Sequence, residues 1–165
     1  MMIDIGVNLG NNQYNNDREQ VIKNALAANV NTMIVTGTSI AQSRKALQLA
    51  QQYPQCLYAT VGIHPHDAAS FTKDSISQLT TLLADKKAVA VGECGLDFNR
   101  NYSTPKEQLY CFEVQLELAV ELQMPVFLHQ RDAHNDFFRL LKKYRSALTA
   151  AVVHCFTGGE KELYA

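Results

Sequence analysis

Six short apolar runs in this sequence each end in a polar residue, and the residues that end them form a series: Asn8, Thr36, His64, Glu93, His129 and His154. Successive members lie 28, 28, 29, 36 and 25 residues apart, about one strand-plus-helix unit each. Three of them, Glu93, His129 and His154, are metal-capable groups with no cysteine among them. Imidazole plus carboxylate suits zinc, manganese, iron or nickel, with magnesium where water completes the shell. A cation held there would polarise a bound oxygen and lower the pKa of a bound water. A single strand-end histidine is more often a hydrogen-bonded structural residue. Three metal-capable residues at equivalent strand ends favour a shared site.

Other residues flank this series with two readings each. His66 follows Pro65 in a loop and either touches substrate or packs the loop. Arg100 and Arg131 fall in loops just past strand ends, where a guanidinium either holds a phosphate by paired hydrogen bonds or forms a solvated ion pair. Asp97 and Asn99 follow Glu93 closely and read as residues that order its loop. His134, in the first turn of a helix, reads as a surface residue. Cys94 and Cys155 immediately follow two ligand candidates, and period-two alternation turns their thiols away from the site, into packing.

What must position these groups is an alternation of strands and helices. The expected strands are 2–7, 32–37, 57–63, 88–93, 125–129 and 150–154. They are continuous in Val, Ile and Leu rather than alternating, as strands buried on both faces are. Between them, residues 17–29, 40–53 and 74–84 carry apolar residues at helical spacing. The best-marked helix follows Thr104, an N-cap with Pro105 in the first helical position and Glu107 closing a capping box. Leu109, Phe112, Leu116 and Ala119 then recur on one face. Another helix starts near Asp132, and its basic tail KKYR suits the negative end of a helix dipole. Six such units in a row leave two architectures, a barrel and an open doubly wound sheet. Neither GxGxxG nor GxxxxGK[ST] occurs, so a nucleotide-binding open sheet lacks its usual support. In a barrel, the C-terminal strand ends form the rim where active sites are built.

The chain has 165 residues, 47% hydrophobic and 19% charged, with a formal net charge of -1. This fits one domain and offers no overall positive field to attract nucleic acid. It leaves room for an enzyme that grips one phosphate locally. No apolar run reaches the roughly 20 residues of a membrane span. The start lacks the pattern of a secretory leader. Four cysteines without a CxxC pair fit a reducing, cytoplasmic location.

The stretches GIHPHD (62–67), GECGLDFNR (92–100), PVFLHQRDA (125–133) and VVHCFTG (152–158) resemble, in order and spacing, the TatD-type metal-dependent deoxyribonucleases. The resemblance implies a TIM-type (β/α) barrel of the metal-dependent hydrolase type. It implies a divalent-cation nuclease of the cytoplasm, acting on single-stranded DNA from the 3′ end and on RNA, with a role in DNA repair. Magnesium is the ion implied in function, with zinc, manganese or nickel as alternatives. The shared carboxylate ligand maps onto Glu93 and two later histidine ligands onto His129 and His154. Glu93 and His64 are the implied catalytic residues, with His64, His66, Arg131 and Asn8 as substrate or phosphate contacts.

Two departures stand out. Many relatives open with Asp-x-His-x-His, whereas Gly6 and Asn8 occupy the histidine positions here. A barrel of this type also has eight strands in about 250 residues, with a further aspartate ligand on a late strand. Residues 1–165 are therefore expected to form a single hydrolase domain with about six of eight units. The expectation is a truncated chain, weak or inactive as a nuclease and prone to self-association through its edge strands, and a monomeric full-length parent. Two rival readings stand beside the nuclease: a small-molecule amidohydrolase on the same barrel, and a non-catalytic metal-binding remnant.

Overall fold

The computed structural model describes residues 2–154 and 156–164. In chain order the elements are β1 (Met2–Val7), α1 (Arg18–Ala27), β2 (Val30–Val35), α2 (Ile40–Gln52), β3 (Leu57–Val61), α3 (Lys73–Leu83), β4 (Ala88–Asp97), α4 (Pro105–Glu121), β5 (Val126–Arg131), α5 (His134–Tyr144), β6 (Ala151–His154) and α6 (Glu160–Leu163). Short 3-10 turns at Asn12–Tyr14 and Pro65–Ser70 interrupt two of the connections.

Local chemistry sets the helix starts. Thr104 Oγ1 accepts the Glu107 N–H, and the Glu107 carboxylate accepts the Thr104 N–H at 2.7 Å. This reciprocal cap satisfies two N–H groups that the first turn would otherwise leave open. Ser39 caps α2 by accepting the Gln42 N–H. α5 buries Phe137 and Leu140 and carries Lys142 and Lys143 in its last turn, with Phe137 stacked on Phe112 of α4 at 5.3 Å.

All six strands are parallel, and their spatial order is β1-β2-β3-β4-β5-β6. Each helix therefore returns the chain to the next neighbour, and the winding never reverses. That order belongs to a curling, singly wound sheet, the arrangement of a (β/α) barrel; a doubly wound sheet reverses partway. The core lies around the central strands. Val35, Leu57, Ala59, Val61, Leu79, Val91, Leu116 and Leu128 expose no surface.

Three sequence expectations need correction. Burial on both faces holds for β3, β4 and most of β5, but not for the outer strands. Met2 and Ile3 of β1 are 54% exposed, and Ala151 and Val152 of β6 are exposed. Among the described residues, β1 and β6 each pair with a single neighbour. Secondly, β4 does not stop at Glu93 but runs ten residues to Asp97. Thirdly, Arg131 is the last residue of β5, not a loop residue.

Candidate active site

Glu93 sits at a break in the β4–β5 ladder. Gly92 pairs with Phe127 and Cys94 with Leu128, leaving Glu93 as an extra residue between them. A bulge of this kind re-aims one side chain while the strand continues. The flanking glycines make it feasible. Gly92 and Gly95 have φ of +139° and +144°, and a Cβ on either would collide with a carbonyl of β5, of Phe127 or His129 respectively. The Gly92–Glu93 peptide is cis. The bulge is tied sideways to the β2–α2 loop, where the Gly37 carbonyl accepts the Glu93 N–H at 2.7 Å. The next carbonyl, Thr38, accepts the His64 N–H at 2.8 Å. One short loop thus fixes two site residues from different strands.

Three imidazoles converge on one oxygen of the buried Glu93 carboxylate. Glu93 Oε1 lies 2.5 Å from His154 Nε2, 3.0 Å from His129 Nδ1 and 3.6 Å from His64 Nε2. Burial pushes the Glu93 pKa up, but hydrogen bonding with His129 and His154 outweighs it, so the group sits well below the usual carboxylate range. The His154 ring also stacks on Phe127 at 4.6 Å, which fixes its plane. The four groups expected from the sequence are therefore in one place.

His64 differs from the other two histidines in its hydrogen bonding. It caps the Pro65–Ser70 turn by accepting the His66 backbone N–H on its ring Nδ1, at 3.1 Å. Burial lowers its pKa to about 4, against a partial offset from Glu93, so the ring is neutral at neutral pH. A neutral imidazole that accepts at Nδ1 carries its proton at Nε2. His64, Glu93 and His129 offer ligand atoms within 4.8 Å of one another. Yet this tautomer makes His64 Nε2 a donor rather than a cation ligand.

A second carboxylate backs the first. Asp97 Oδ2 lies 2.8 Å from His66 Nε2 and 3.4 Å from His129 Nε2. Its Oδ1 accepts the N–H groups of Asn99 and Arg100. Burial raises the Asp97 pKa, and the hydrogen bonds from Arg100, His66 and Asn99 more than reverse that. His129 Nε2 is buried without a hydrogen-bond partner of its own, and Asp97 is the acid that faces it. A ligating imidazole commonly turns its second nitrogen to a carboxylate in this way. The sequence reading that Asp97 orders its loop is correct, but it misses the contact with the two histidines.

Two further residues escaped the sequence reading altogether. Gln115 and Gln108 of α4 are fully buried. The Gln115 amide accepts the Ile63 N–H at 2.8 Å and donates to the Ile63 carbonyl at 3.0 Å. The Gln108 amide grips Asp97 in the same two-way fashion. Each completes a peptide next to a site residue, as a neighbouring strand would. The available signal was two glutamines seven residues apart on an apolar helix face.

The remaining candidates do not all adjoin this centre. His66 packs edge-to-face on His64 at 4.3 Å. Arg131 is two residues beyond His129 on β5, which strand alternation places on the same face. Asn8 is exposed and lines a polar cavity of about 410 Å³ together with Thr36, Thr38, Lys45 and Asp67. His134 faces Glu162 at 4.0 Å, away from the Glu93 cluster. Cys94 is fully buried and burial pushes its thiol pKa far up, as expected of a packing residue. Cys155 lies outside the described residues.

A carboxylate with imidazoles meeting at one point, and a second carboxylate behind one of them, is a donor set that fits a divalent cation. Glu93, His129 and His154 could hold it; among the described residues, the set whose ligand atoms all lie within 4.8 Å of one another is His64, Glu93 and His129. The arrangement suits hydrolysis at an anionic centre, with a neutral N–H donor at its edge.

Comparison with known proteins agrees with this chemistry. The family model described as TatD related DNase matches residues 3–165. A protein of Edwardsiella piscicida named 3′-5′ ssDNA/RNA exonuclease TatD is 52% identical over 98% of this chain and 62% of its own length. A protein of the same name from Citrobacter rodentium is 49% identical over 98% of this chain and 61% of its own. Among solved structures, a TatD-family hydrolase of Entamoeba histolytica superposes with a TM-score of 0.90 at 27% identity, covering 99% of this chain and 60% of that one. A TatD homologue of Escherichia coli gives 0.87 at 32% identity, covering 98% and 62%. The chain spans about three-fifths of the length of the curated relatives it matches.

Proposed function

The chain belongs to the TatD-related DNase family, and from that premise we propose that it is the Glu93-centred part of a divalent-cation nuclease that hydrolyses phosphodiester bonds in single-stranded DNA or RNA, removing nucleotides from the 3′ end. The observation that carries this reading is the convergence of His64, His129 and His154 on one Glu93 oxygen. The names of the relatives at about 50% identity support the substrate class.

Glu93, His129 and His154 would hold the cation. A divalent ion held there would supply charge neutralisation and a more acidic water. Magnesium is the ion proposed for function. Asp97 keeps the His129 ring in the orientation and tautomer that ligation needs. His64 offers its Nε2–H to a non-bridging phosphate oxygen, and Arg131 adds a charged donor from the same face of β5. His66 and Asn8 meet the substrate on the rim. In the hydrolysis the oxygen of water bonds to phosphorus. The bond from phosphorus to the 3′ oxygen of the remaining strand breaks, and that oxygen takes up a proton given up by the water, so the terminal nucleotide departs with its phosphate.

A cytoplasmic site of action fits the free, buried thiols of Cys56, Cys94 and Cys111, which a reducing compartment preserves. No helix among the described residues is long and apolar enough to cross a membrane. A role in DNA repair follows the same reading.

The test is release of mononucleotides from a 5′-labelled single-stranded oligonucleotide with magnesium or manganese, beside an EDTA control. A ladder shortening from the 3′ end and stopped by EDTA is the expected result. Hydrolysis of a cyclic amide without nucleotide release would replace this reading by an amidohydrolase. Cation binding without turnover of either substrate would leave a binding remnant.

A further inference from the structure

We infer that Tyr102 is the stacking platform for an unpaired base of the substrate strand, and so a determinant of single-strand specificity. The inference rests on the nuclease reading above and goes beyond it by naming what recognises the base. Tyr102 is 66% exposed, a large aromatic surface left to water beside a cluster of otherwise polar groups. Its ring meets His66 edge-to-face at 4.9 Å, with the planes at 87°. Such a contact covers at most one face of the phenol, and the exposure leaves the other open. His66 in turn touches His64 and Asp97, and its ring centroid lies 6.4 Å from that of His129. The phenol is therefore one side chain removed from the residues that face the scissile phosphate, on the same rim.

The loop that carries Tyr102 is held on both sides. Asp97 Oδ1 accepts the N–H groups of Asn99 and Arg100, and Asn101 Nδ2 donates to the Phe98 carbonyl at 2.7 Å. Asn101 takes a φ of +48°, which reverses the chain just before the tyrosine. On the other side, the buried Ser103 Oγ donates to the His66 carbonyl and accepts the Ala69 N–H, each at 3.0 Å. The Ser103 carbonyl accepts from Gln108 at 2.9 Å. A loop held this firmly loses little freedom when a base settles on the ring it carries. Every base offers a π face to such a platform, so stacking tolerates any sequence but requires an unpaired base. The paired bases of a duplex have both faces occupied.

The experiment measures binding of a 5′-fluorescein single-stranded oligonucleotide by anisotropy in EDTA, and KM for mononucleotide release with magnesium. The proteins compared are wild type, Tyr102→Ala and Tyr102→Phe. Stacking contributes about 1–3 kcal/mol per base, so Tyr102→Ala should weaken binding and raise KM roughly 5- to 150-fold with little change in kcat. Tyr102→Phe keeps the π face and should restore both values to near wild type. On a strand whose 3′-terminal nucleotides are abasic, wild type and Tyr102→Ala should bind alike. Equal affinity of Tyr102→Ala and wild type for the normal strand overturns the inference, as does a loss that persists undiminished on the abasic strand. A wild-type protein that neither binds nor cleaves the strand overturns the nuclease reading itself, and the stacking role with it.

Discussion

At the scale of single residues, the chemistry rests on two carboxylates with different duties. Glu93 gathers His64, His129 and His154, whereas Asp97 holds His129 and His66 from behind. Their loss should therefore read differently. Asp97→Asn leaves the ligand set in place but weakens the hold on the His129 ring, and should reduce cation affinity roughly 10- to 100-fold. Isothermal titration with manganese checks this; unchanged affinity would remove Asp97 from the account. Titration of the cluster should also appear in stability. Burial lowers the folded pKa of His64 from 6.5 to about 4, and the hydrogen bonds of His129 and His154 hold Glu93 below its ordinary 4.5. As pH falls, the unfolded chain takes up both protons first. The contribution of His64 is complete above pH 6.5, erodes between 6.5 and 4, and amounts to about 3 kcal/mol at most. That of Glu93 is complete above 4.5 and fades below it. In EDTA the urea midpoint should fall from pH 7 to pH 4, and His64→Gln should flatten the part between 6.5 and 4. A variant with the wild-type slope would contradict this.

At the scale of elements, α4 and β4 do most of the positioning. The Thr104–Pro105–Glu107 start of α4 was legible because a cap has a fixed local spacing. The polar contacts of the same helix were not, because Gln108 and Gln115 find their partners on other elements. The prediction follows from that pairing. Gln115→Leu keeps volume and helix propensity but strands the buried Ile63 N–H and carbonyl, which should cost about 1–3 kcal/mol. It should also loosen His64, the next residue in the chain. Equilibrium denaturation measures the first effect and KM for the oligonucleotide the second. A variant as stable as wild type would show that the glutamine bridge contributes nothing. The β4 bulge illustrates the other limit of sequence reading. An apolar run followed by Gly92 reads as a strand end, whereas the ladder resumes after a single extra residue. Only the pairing with β5 reveals that Glu93 is a bulge and that Asp97 belongs to the same strand.

At the scale of the whole molecule, the sequence left a barrel and a doubly wound sheet open on periodicity alone, since both are runs of βα units. The continuous order of the six strands decides between them, and the curl of that sheet brings His64, Glu93, His129 and His154 together across gaps of 25 to 36 residues. The equivalent positions of these residues were visible as a repeat of strand ends; their convergence on one oxygen was not, because it depends on curvature. The same architecture exposes apolar side chains on the outer strands, with Met2, Ile3 and Ile5 on β1 and Val152 on β6. Exposed apolar edges of this kind pair with other chains. A polypeptide of these 165 residues should therefore sediment as dimers or larger species rather than as an 18.4 kDa monomer. A single sharp monomer peak in analytical ultracentrifugation would contradict that.

The central claim is that Glu93 organises a cation site for phosphodiester hydrolysis. The most direct measurement is the rate of mononucleotide release from a single-stranded oligonucleotide as magnesium is titrated, for wild type and for Glu93→Gln. Wild type should show a saturable dependence on the cation, abolished by EDTA. Glu93→Gln should show a loss on the order of 10³-fold or more, the scale expected when a principal electrostatic contributor is removed. Release that ignores EDTA, or a Glu93→Gln protein that keeps wild-type turnover, would contradict that claim.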